Sequence, residues 1–176
     1  MWPWRRKVKN MQTKTETSGV RWMTAKDMPQ VSALAKKYLA DLRVTDKDLT
    51  DFSRSRNHIP KVIVSSGGRI LGFTLYVVKQ MSIEIVAICI SDQRVREGLG
   101  RTLIDELKVT ANKLGKEFLS CHIPETNLSA QLFFKSLGFK WVSTVEATTS
   151  AQPQWNVPGS LYRMRYSEEV SEREGN

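Results

Sequence analysis

The sequence predicts an α+β fold with a mixed, mostly antiparallel central sheet. Three successive apolar, β-branched runs, at residues 62–66, 69–78 and 83–90, have the length and composition of strands. Residues 100–114 and 129–137 repeat apolar side chains at helical spacing. The chain crosses the sheet through the helix at 100–114. The strand that follows this helix should therefore pair parallel to the strand that precedes the helix.

Local signals place the remaining elements. Asp27 is the expected N-cap of the first helix, with Pro29 in its first turn and Gln30 completing a capping-box pattern. Gly115 is the expected end of the longest helix. The predicted order is a strand at 20–23, a helix whose apolar stripe spans 31–42, a helix at 45–53, strands at 62–66, 69–78 and 83–90, a helix at 100–114, a strand at 117–123, a helix at 129–137, and strands at 139–144 and 161–166.

Size and charge limit the classes of function. A chain of 176 residues is expected to form one domain. Lys and Arg total 27 against 18 acidic residues, a net charge of +9. Such a charge favours either solubility alone or binding of an anionic cofactor, an anionic acceptor or nucleic acid. No run approaches ~18 consecutive apolar residues, so no membrane-spanning helix is expected.

The cysteines and histidines predict no metal site. Cys89 and Cys121 fall in apolar, strand-like segments, where free buried thiols are expected. Free thiols are typical of a reducing compartment, so we expect a cytoplasmic protein. His58 and His122 lack the spacing to a cysteine that a zinc site requires.

Both ends of the chain are expected to be extensions of one domain at residues 20–167. Residues 1–19 form a basic, flexible extension that begins W-P-W-R-R-K after Met1, without the apolar core of a signal peptide. Its tryptophans and arginines could instead contact RNA or a membrane surface. Residues 168–176 form a flexible acidic tail.

The turn that follows the third of the successive strands has the features of a phosphate-binding loop. Gly98 and Gly100 allow the backbone to approach a ligand closely, just where a helix begins. The first N–H groups of a helix have no partner within it, and the helix dipole favours an anion there. A tight strand-to-helix turn explains the glycines equally well. The spacing excludes both the P-loop and the dinucleotide-binding fingerprint. Three arginines flank the turn: Arg94, Arg96 and Arg101.

Two motifs give the chain a resemblance to the GNAT superfamily of N-acetyltransferases. The first is V-R-E-G-L-G at residues 95–100, after the strand I-V-A-I-C-I. The second, N-L-S-A-Q-L-F-F-K-S-L-G-F at 127–139, is similar to the family's N-x-x-A-x-x-L-Y-x-x-x-G-F. The resemblance covers roughly residues 20–166 and implies helices on both faces of the sheet. It also implies acetyl-CoA as donor and a primary amine as acceptor.

The resemblance assigns cofactor contacts by position. Asn127 matches the family's cofactor-contacting asparagine, and the strand ending at Cys89 and Ile90 would run beside the pantetheine arm, where one N–H polarises the thioester. The implied pyrophosphate loop is Val95, Arg96, Glu97, Gly98, Leu99 and Gly100, followed by Arg101.

Two positions depart from the family pattern. Val95 stands where the family usually has Gln or Arg, which matters little if backbone amides bind the diphosphate. Phe134 occupies the position of a tyrosine that many members use to protonate the leaving thiolate, and phenylalanine donates no proton. A thiol of pKa ~8.5 can leave unaided near neutral pH. Water, Tyr162 or Tyr166 are the alternative acids.

Three residues are candidates for the general base. Glu84 lies fourteen residues before Gly98, as does the glutamate of the family's histone-acetylating branch. Its apolar neighbours should raise its pKa by desolvation; the alternative is a solvent-facing strand glutamate. His122 stands five residues before Asn127, where ribosomal-protein alanine acetyltransferases have a catalytic glutamate. The alternative for His122 is a structural role, and Glu125 is the third candidate.

Two classes of function fit these observations. The first is an acetyl-CoA-dependent N-acetyltransferase, in which the amine attacks the thioester directly in a ternary complex. Its acceptor would be a protein N-terminus, a lysine or a small amine. The second is a non-catalytic module that binds nucleic acid or protein. Trp155 either packs on the core or lines an acceptor slot, and nothing in the sequence indicates the oligomeric state.

Overall fold

The protein forms a seven-stranded sheet with four α-helices. A computed structural model describes residues 19–39, 45–55, 58–146 and 159–168. The strands are β1 Gly19–Trp22, β2 His58–Val64, β3 Ile70–Val78, β4 Ser82–Ile90, β5 Phe118–Pro124, β6 Lys140–Glu146 and β7 Ser160–Tyr166. The helices are α1 Met28–Tyr38, α2 Asp46–Arg54, α3 Leu99–Lys113 and α4 Leu128–Ser136. This is the predicted order of elements.

The sheet is mixed and mostly antiparallel, as predicted. Its strand order is β1-β2-β3-β4-β5-β7-β6. β4 and β5 pair parallel, with α3 connecting them, and the other neighbouring strands pair antiparallel. None of the helices in the described ranges is both long and apolar enough to span a membrane.

Helices cover both faces of the sheet because the strands and helices bury complementary apolar stripes. On one face, α1 and α2 pack on β2–β4 through a cluster that includes Val31, Phe52 and Phe73. On the other face, α3 and α4 pack on β3–β5 through a cluster that includes Ile104, Phe134 and Ile85. We call these the α1/α2 face and the α3/α4 face.

A gap opens in the middle of the sheet between β4 and β5. Their pairing runs from Ser82↔Phe118 to Ile85↔Cys121 and stops there, although β4 continues to Ile90. A β-bulge lies next to this point, because Leu75 pairs with Ala87 and Tyr76 with Ile85, which leaves Val86 as the extra residue. Among the described residues, one edge of residues 86–90 therefore has no strand partner, which places an open strand edge inside the fold.

Asp27 is the N-cap residue of α1 and Pro29 lies in its first turn, as predicted, but the predicted capping hydrogen bonds are wrong. Its side chain makes no cap bond to α1, and it ends a short 3₁₀ turn at Ala25–Asp27 instead. The carboxylate accepts hydrogen bonds from Arg21 and from Thr24, at 2.6 and 2.7 Å. Gln30 accepts a hydrogen bond from the Ile70 amide, 3.1 Å away, and so does not complete a capping box. The arginine on β1 is the stronger partner for a carboxylate because it is charged.

Several predictions concern residues outside the described ranges. Residues 1–18 contain the W-P-W-R-R-K segment, residues 147–158 contain Trp155, and residues 169–176 contain the acidic tail. RNA or membrane contact by the first segment and the two roles of Trp155 therefore stay predictions. β1 begins at Gly19, one residue before the predicted start of the domain.

Candidate active site

The loop between β4 and α3 has an unusual backbone. A 3₁₀ turn at Asp92–Arg94 follows β4, and Gly98 is the N-cap of α3 with φ 82°. Arg96 has φ 72°, and among the described residues it alone is a non-glycine residue with positive φ. Left-handed backbone is costly for a residue with a Cβ, and such strain is concentrated at functional loops.

This loop presents a run of unpaired amides. Within the described part of the chain, no hydrogen-bond acceptor is found for the main-chain N–H of Arg96, Gly98, Leu99, Gly100 or Arg101. By contrast, the amides of Arg94, Val95 and Glu97 donate to main-chain carbonyls within the loop, at 2.9, 3.4 and 3.5 Å. Consecutive N–H groups of this kind, at a helix N-terminus, form an anion-binding concavity. Four of the six residues in the predicted pyrophosphate loop therefore offer main-chain donors for this role, whereas Val95 and Glu97 use theirs within the loop.

The rest of the fold holds the loop in place. The Asp92 amide donates to the Tyr38 hydroxyl at 3.1 Å, and Lys37 pairs with the Asp92 carboxylate at 2.8 Å. Arg94 pairs with Glu97 at 2.8 Å, so part of the predicted positive charge is neutralised within the loop. The loop is thus anchored to the end of α1.

Gly100 allows α4 to lie close to the start of α3. A Cβ at this position would come within 3.0 Å of the Phe133 ring and 3.8 Å of Ile90. Contacts as short as 3.0 Å require the neighbouring ring to move. Gly100 therefore brings the loop, the end of β4 and α4 together around the open side of the gap.

Glu84 and His122, predicted as rival bases, form one buried pair. Their side chains are 3% and 4% exposed, and His122 Nδ1 lies 3.2 Å from Glu84 Oε1. Both lie on the α1/α2 face, because Ile83 and Ile85 on either side of Glu84 pack toward α3 and α4. His122 is the first residue of β5 beyond its pairing with β4, so the pair stands at the closed end of the gap.

The prediction that the pKa of Glu84 is raised is wrong. Burial alone would raise it, but hydrogen bonds from His122 and Lys79 outweigh desolvation and lower the pKa to about 2. Lys79 forms an ion pair with Glu84 Oε2. Glu84 is therefore a carboxylate at neutral pH and a poor proton acceptor.

The hydrogen bonds determine the state of His122. Arg163 Nε lies 3.2 Å from His122 Nε2, and an arginine nitrogen can only donate. Nε2 is therefore the acceptor, and the ring proton sits on Nδ1 and is donated to Glu84. The imidazole is neutral and both of its nitrogens are engaged. The network runs from Lys79 through Glu84 and His122 to Arg163.

Other predicted residues have structural contacts in this structure. The Asn127 side chain caps α4 by accepting a hydrogen bond from the Ala130 amide at 3.0 Å. Phe134 is 3% exposed and packs edge-on against Phe133 and Phe139 within the core. Glu125 is exposed, beyond the end of β5.

The thiols and tyrosines fall in different places. Burial raises the pKa of Cys89 to about 12 and also raises that of Cys121, so neither is a ready nucleophile. Tyr162 pairs with Ile123 near the open end of the gap, whereas Tyr166 pairs with Leu119 at the far end of β5.

Two further residues of the predicted cofactor site lie near the loop. Ile90 ends β4 beside the loop, and Val95 is 55% exposed.

Sequence reasoning missed Lys79 and Arg163. Lys79 lies in the turn between β3 and β4, and nothing in its local sequence links it to Glu84. The last strand does carry a signal for Arg163, because L-Y-R-M-R-Y alternates arginines with other side chains. That alternation places Arg163 and Arg165 on one face of β7, the face that His122 shares.

The sequence was also compared with protein-family models. The model described as "Acetyltransferase (GNAT) family" matches residues 27–139, almost two thirds of the chain. The chain belongs to the GNAT acetyltransferase family. The match includes the loop, Glu84, His122 and Asn127. A search of curated proteins finds no matching sequence.

Solved structures of GNAT enzymes share this fold. The ribosomal-protein-S18-alanine N-acetyltransferase of Escherichia coli has a TM-score of 0.73 and 16% identity, with 91% of this chain and 99% of that chain covered. Ard1 of Thermoplasma volcanium has a TM-score of 0.71 and 18% identity, with coverage of 85% and 97%. The PaiA N-acetyltransferase of Thermoplasma acidophilum, solved with coenzyme A, has a TM-score of 0.68 and 15% identity, with coverage of 86% and 99%. At these identities the likeness shows the fold.

Proposed function

We propose that this acetyltransferase takes its acetyl group from acetyl-CoA and transfers it to a primary amine. The observation that carries this proposal is the set of unpaired amides at Arg96 and at residues 98–101, next to an open edge of β4. These amides would bind the diphosphate of coenzyme A. The edge of residues 86–90 would bind the pantetheine arm, and one of its N–H groups would polarise the thioester carbonyl. Acetyl-CoA supplies the activated acetyl group.

The amine would be acetylated from the α1/α2 face. Glu84, His122 and Arg163 lie on that face, at the closed end of the gap, whereas α3 begins on the opposite face. An alkylamine is mostly protonated at neutral pH and must lose a proton before it attacks. We assign proton acceptance to His122 Nε2, and to Glu84 the role of fixing the proton on Nδ1. Because Phe134 cannot donate a proton, water would protonate the leaving thiolate in place of the tyrosine that many family members have there.

Calorimetric titration tests the donor site. Coenzyme A should bind the protein, and pantetheine, which lacks the diphosphate, should bind far more weakly. Equal affinities would show that the loop does not bind the diphosphate. If neither compound gave a heat of binding, the proposal that acetyl-CoA is the donor would be refuted. A thiol-release assay with acetyl-CoA and a panel of peptides and small amines then tests transfer.

The acceptor and the compartment also belong to this proposal. Cys89 and Cys121 are free, buried thiols, which supports a reducing compartment such as the cytoplasm. The non-catalytic, nucleic-acid-binding alternative gains no specific support from the described residues, because its basic segment lies outside them. A protein N-terminus, a lysine and a small amine all remain candidates for the acceptor.

A further inference from the structure

We infer that Arg163 recognises a carboxylate on the acceptor, and that this contact frees His122 Nε2 to take the proton of the amine. The inference rests on the proposed function and narrows its acceptor class to amines that carry an acidic group nearby. Arg163 would then select the acceptor and also switch the base from engaged to available.

The Arg163 side chain has hydrogen-bonding capacity that the described contacts do not use. Its Nε donates to His122, and no other hydrogen bond or ion pair of Arg163 is found among the described residues. An arginine carries further N–H donors on Nη1 and Nη2, arranged as a fork that matches a carboxylate. The side chain is half-buried, so the fork is held near the surface of the α1/α2 face.

The surroundings of Arg163 carry positive charge. Arg165 lies two residues further along the same face of β7, its guanidinium 3.8 Å from the centroid of the Phe118 ring. Lys140 on β6 pairs with Arg165 in the strand register. Glu84 is the carboxylate that faces His122, and it is already bonded to His122 and Lys79. A carboxylate on the acceptor would therefore enter a cationic surface.

Arg163 has two competing partners, His122 and a carboxylate of the acceptor. Its bond to a neutral imidazole is weaker than a bidentate, charge-assisted bond to a carboxylate. A carboxylate bound side-on, through Nε and one Nη nitrogen, therefore replaces the bond from Nε to His122 with a net gain. An amine without the carboxylate must break the same bond without compensation.

The proton balance of the transfer is complete. His122 Nε2 takes one proton from the ammonium group. His122 Nδ1 keeps its own proton and continues to donate it in a hydrogen bond to Glu84. The amine nitrogen forms the C–N bond to the acetyl carbon, the C–S bond breaks, and the electron pair leaves with the thiolate. The second amine proton passes to the thiolate through water, and His122 returns its proton to solvent.

Matched acceptor pairs test the inference. The probes differ only in a carboxylate against a carboxamide: a tetrapeptide with Glu or Gln after its free N-terminal Ala, a lysine peptide with the same change beside the lysine, and 4-aminobutyrate with its amide. Thiol release is measured with kcat and KM for each pair. We expect kcat/KM for at least one acidic member to exceed that of its amide by about 10- to 100-fold.

The substitution Arg163→Gln should bring that ratio close to one. KM for the acidic acceptor should rise, while kcat for the amide should increase, because Nε2 is no longer engaged. Arg165→Gln, on the same face of β7, is the matched control and should keep most of the preference. Arg163→Lys keeps the charge without the fork and should give an intermediate ratio, which serves if Arg163→Gln does not fold.

Three results would overturn the inference. One is transfer without a preference in any pair. Another is a preference that survives Arg163→Gln, and the third is loss of kcat for acidic and amide acceptors alike. Failure of the proposed function looks different, since the wild-type protein would then release no thiol with any amine.

Discussion

Substitution of Gly98 by Ala should weaken coenzyme A binding more than it weakens the fold. Gly98 has φ 82°, and a Cβ there would have no atom within 4 Å, so the cost is backbone strain alone. That strain is about 1–2 kcal/mol for an L-residue. The loop around Gly98 is exposed, so we expect it to relax away from the geometry that aligns its amides. Affinity should then fall by about 5- to 30-fold, the factor that corresponds to this energy.

Gly115→Ala is the matched control. Gly115 lies at the other end of the same helix with φ 61°, and a Cβ there also has no atom within 4 Å. Each variant should lower Tm by roughly 2–8 °C if its strain remains in the folded state. Calorimetry with coenzyme A should show a loss of affinity for Gly98→Ala only. An unchanged affinity for Gly98→Ala, or an equal loss for both variants, would refute the reasoning.

Three further predictions concern stability and reactivity. Because the Glu84 pKa is lowered to about 2 in the fold, its contribution is present above the unfolded value near 4.5 and is lost as pH falls toward 2. Glu84→Gln should therefore flatten the acid limb of a urea-unfolding series by up to about 3 kcal/mol, and an unchanged limb would contradict the pairing. Cys89 and Cys121 should react with a thiol reagent at pH 8 only after urea is added; rapid labelling of the native protein would show that the strands open. Asn127→Ala should cost about 1 kcal/mol by removing the α4 cap, and Asn127→Ser should keep most of it; equal Tm values for the two would exclude a capping role.

Most of the fold could be predicted because the signals are local. Three β-branched runs between residues 62 and 90 predict the meander. The bounds of the second and third are within one residue of β3 and β4, but β2 begins at His58, four residues before the predicted start, and ends at Val64. Gly115 has the positive φ expected of a residue that follows a helix. The parallel pairing of β4 with β5 followed from a general rule for crossover connections. Each of these predictions uses residues that are adjacent in the chain.

The site could be predicted only in part because its energies depend on distant partners. The loop at residues 95–100 was located from its glycines, and the structure adds its unpaired amides. Desolvation of Glu84 follows from its neighbours in sequence, but its compensation comes from Lys79 in a turn and His122, thirty-eight residues away. The hydrogen bonding of Asp27 likewise depends on a residue outside its helix, because Arg21 on β1 donates to its carboxylate. Spacing alone indicates which groups are polar, whereas pairing determines their charge state.

The bulge at Val86 explains how one strand serves both the network and the donor site. The side chains of Ile83 and Ile85 pack toward α3 and α4, and strict alternation would put Ala87 and Cys89 there too. Val86, Ala87 and Cys89 instead pack with α1 and α2, which leaves Ile90 with Leu99 at the start of α3. Before the bulge, β4 is held between two strands and presents Glu84 to His122. Beyond the bulge it pairs with β3 and with no second strand of the described chain. The reversal of faces therefore coincides with the opening of the edge that would bind the pantetheine arm.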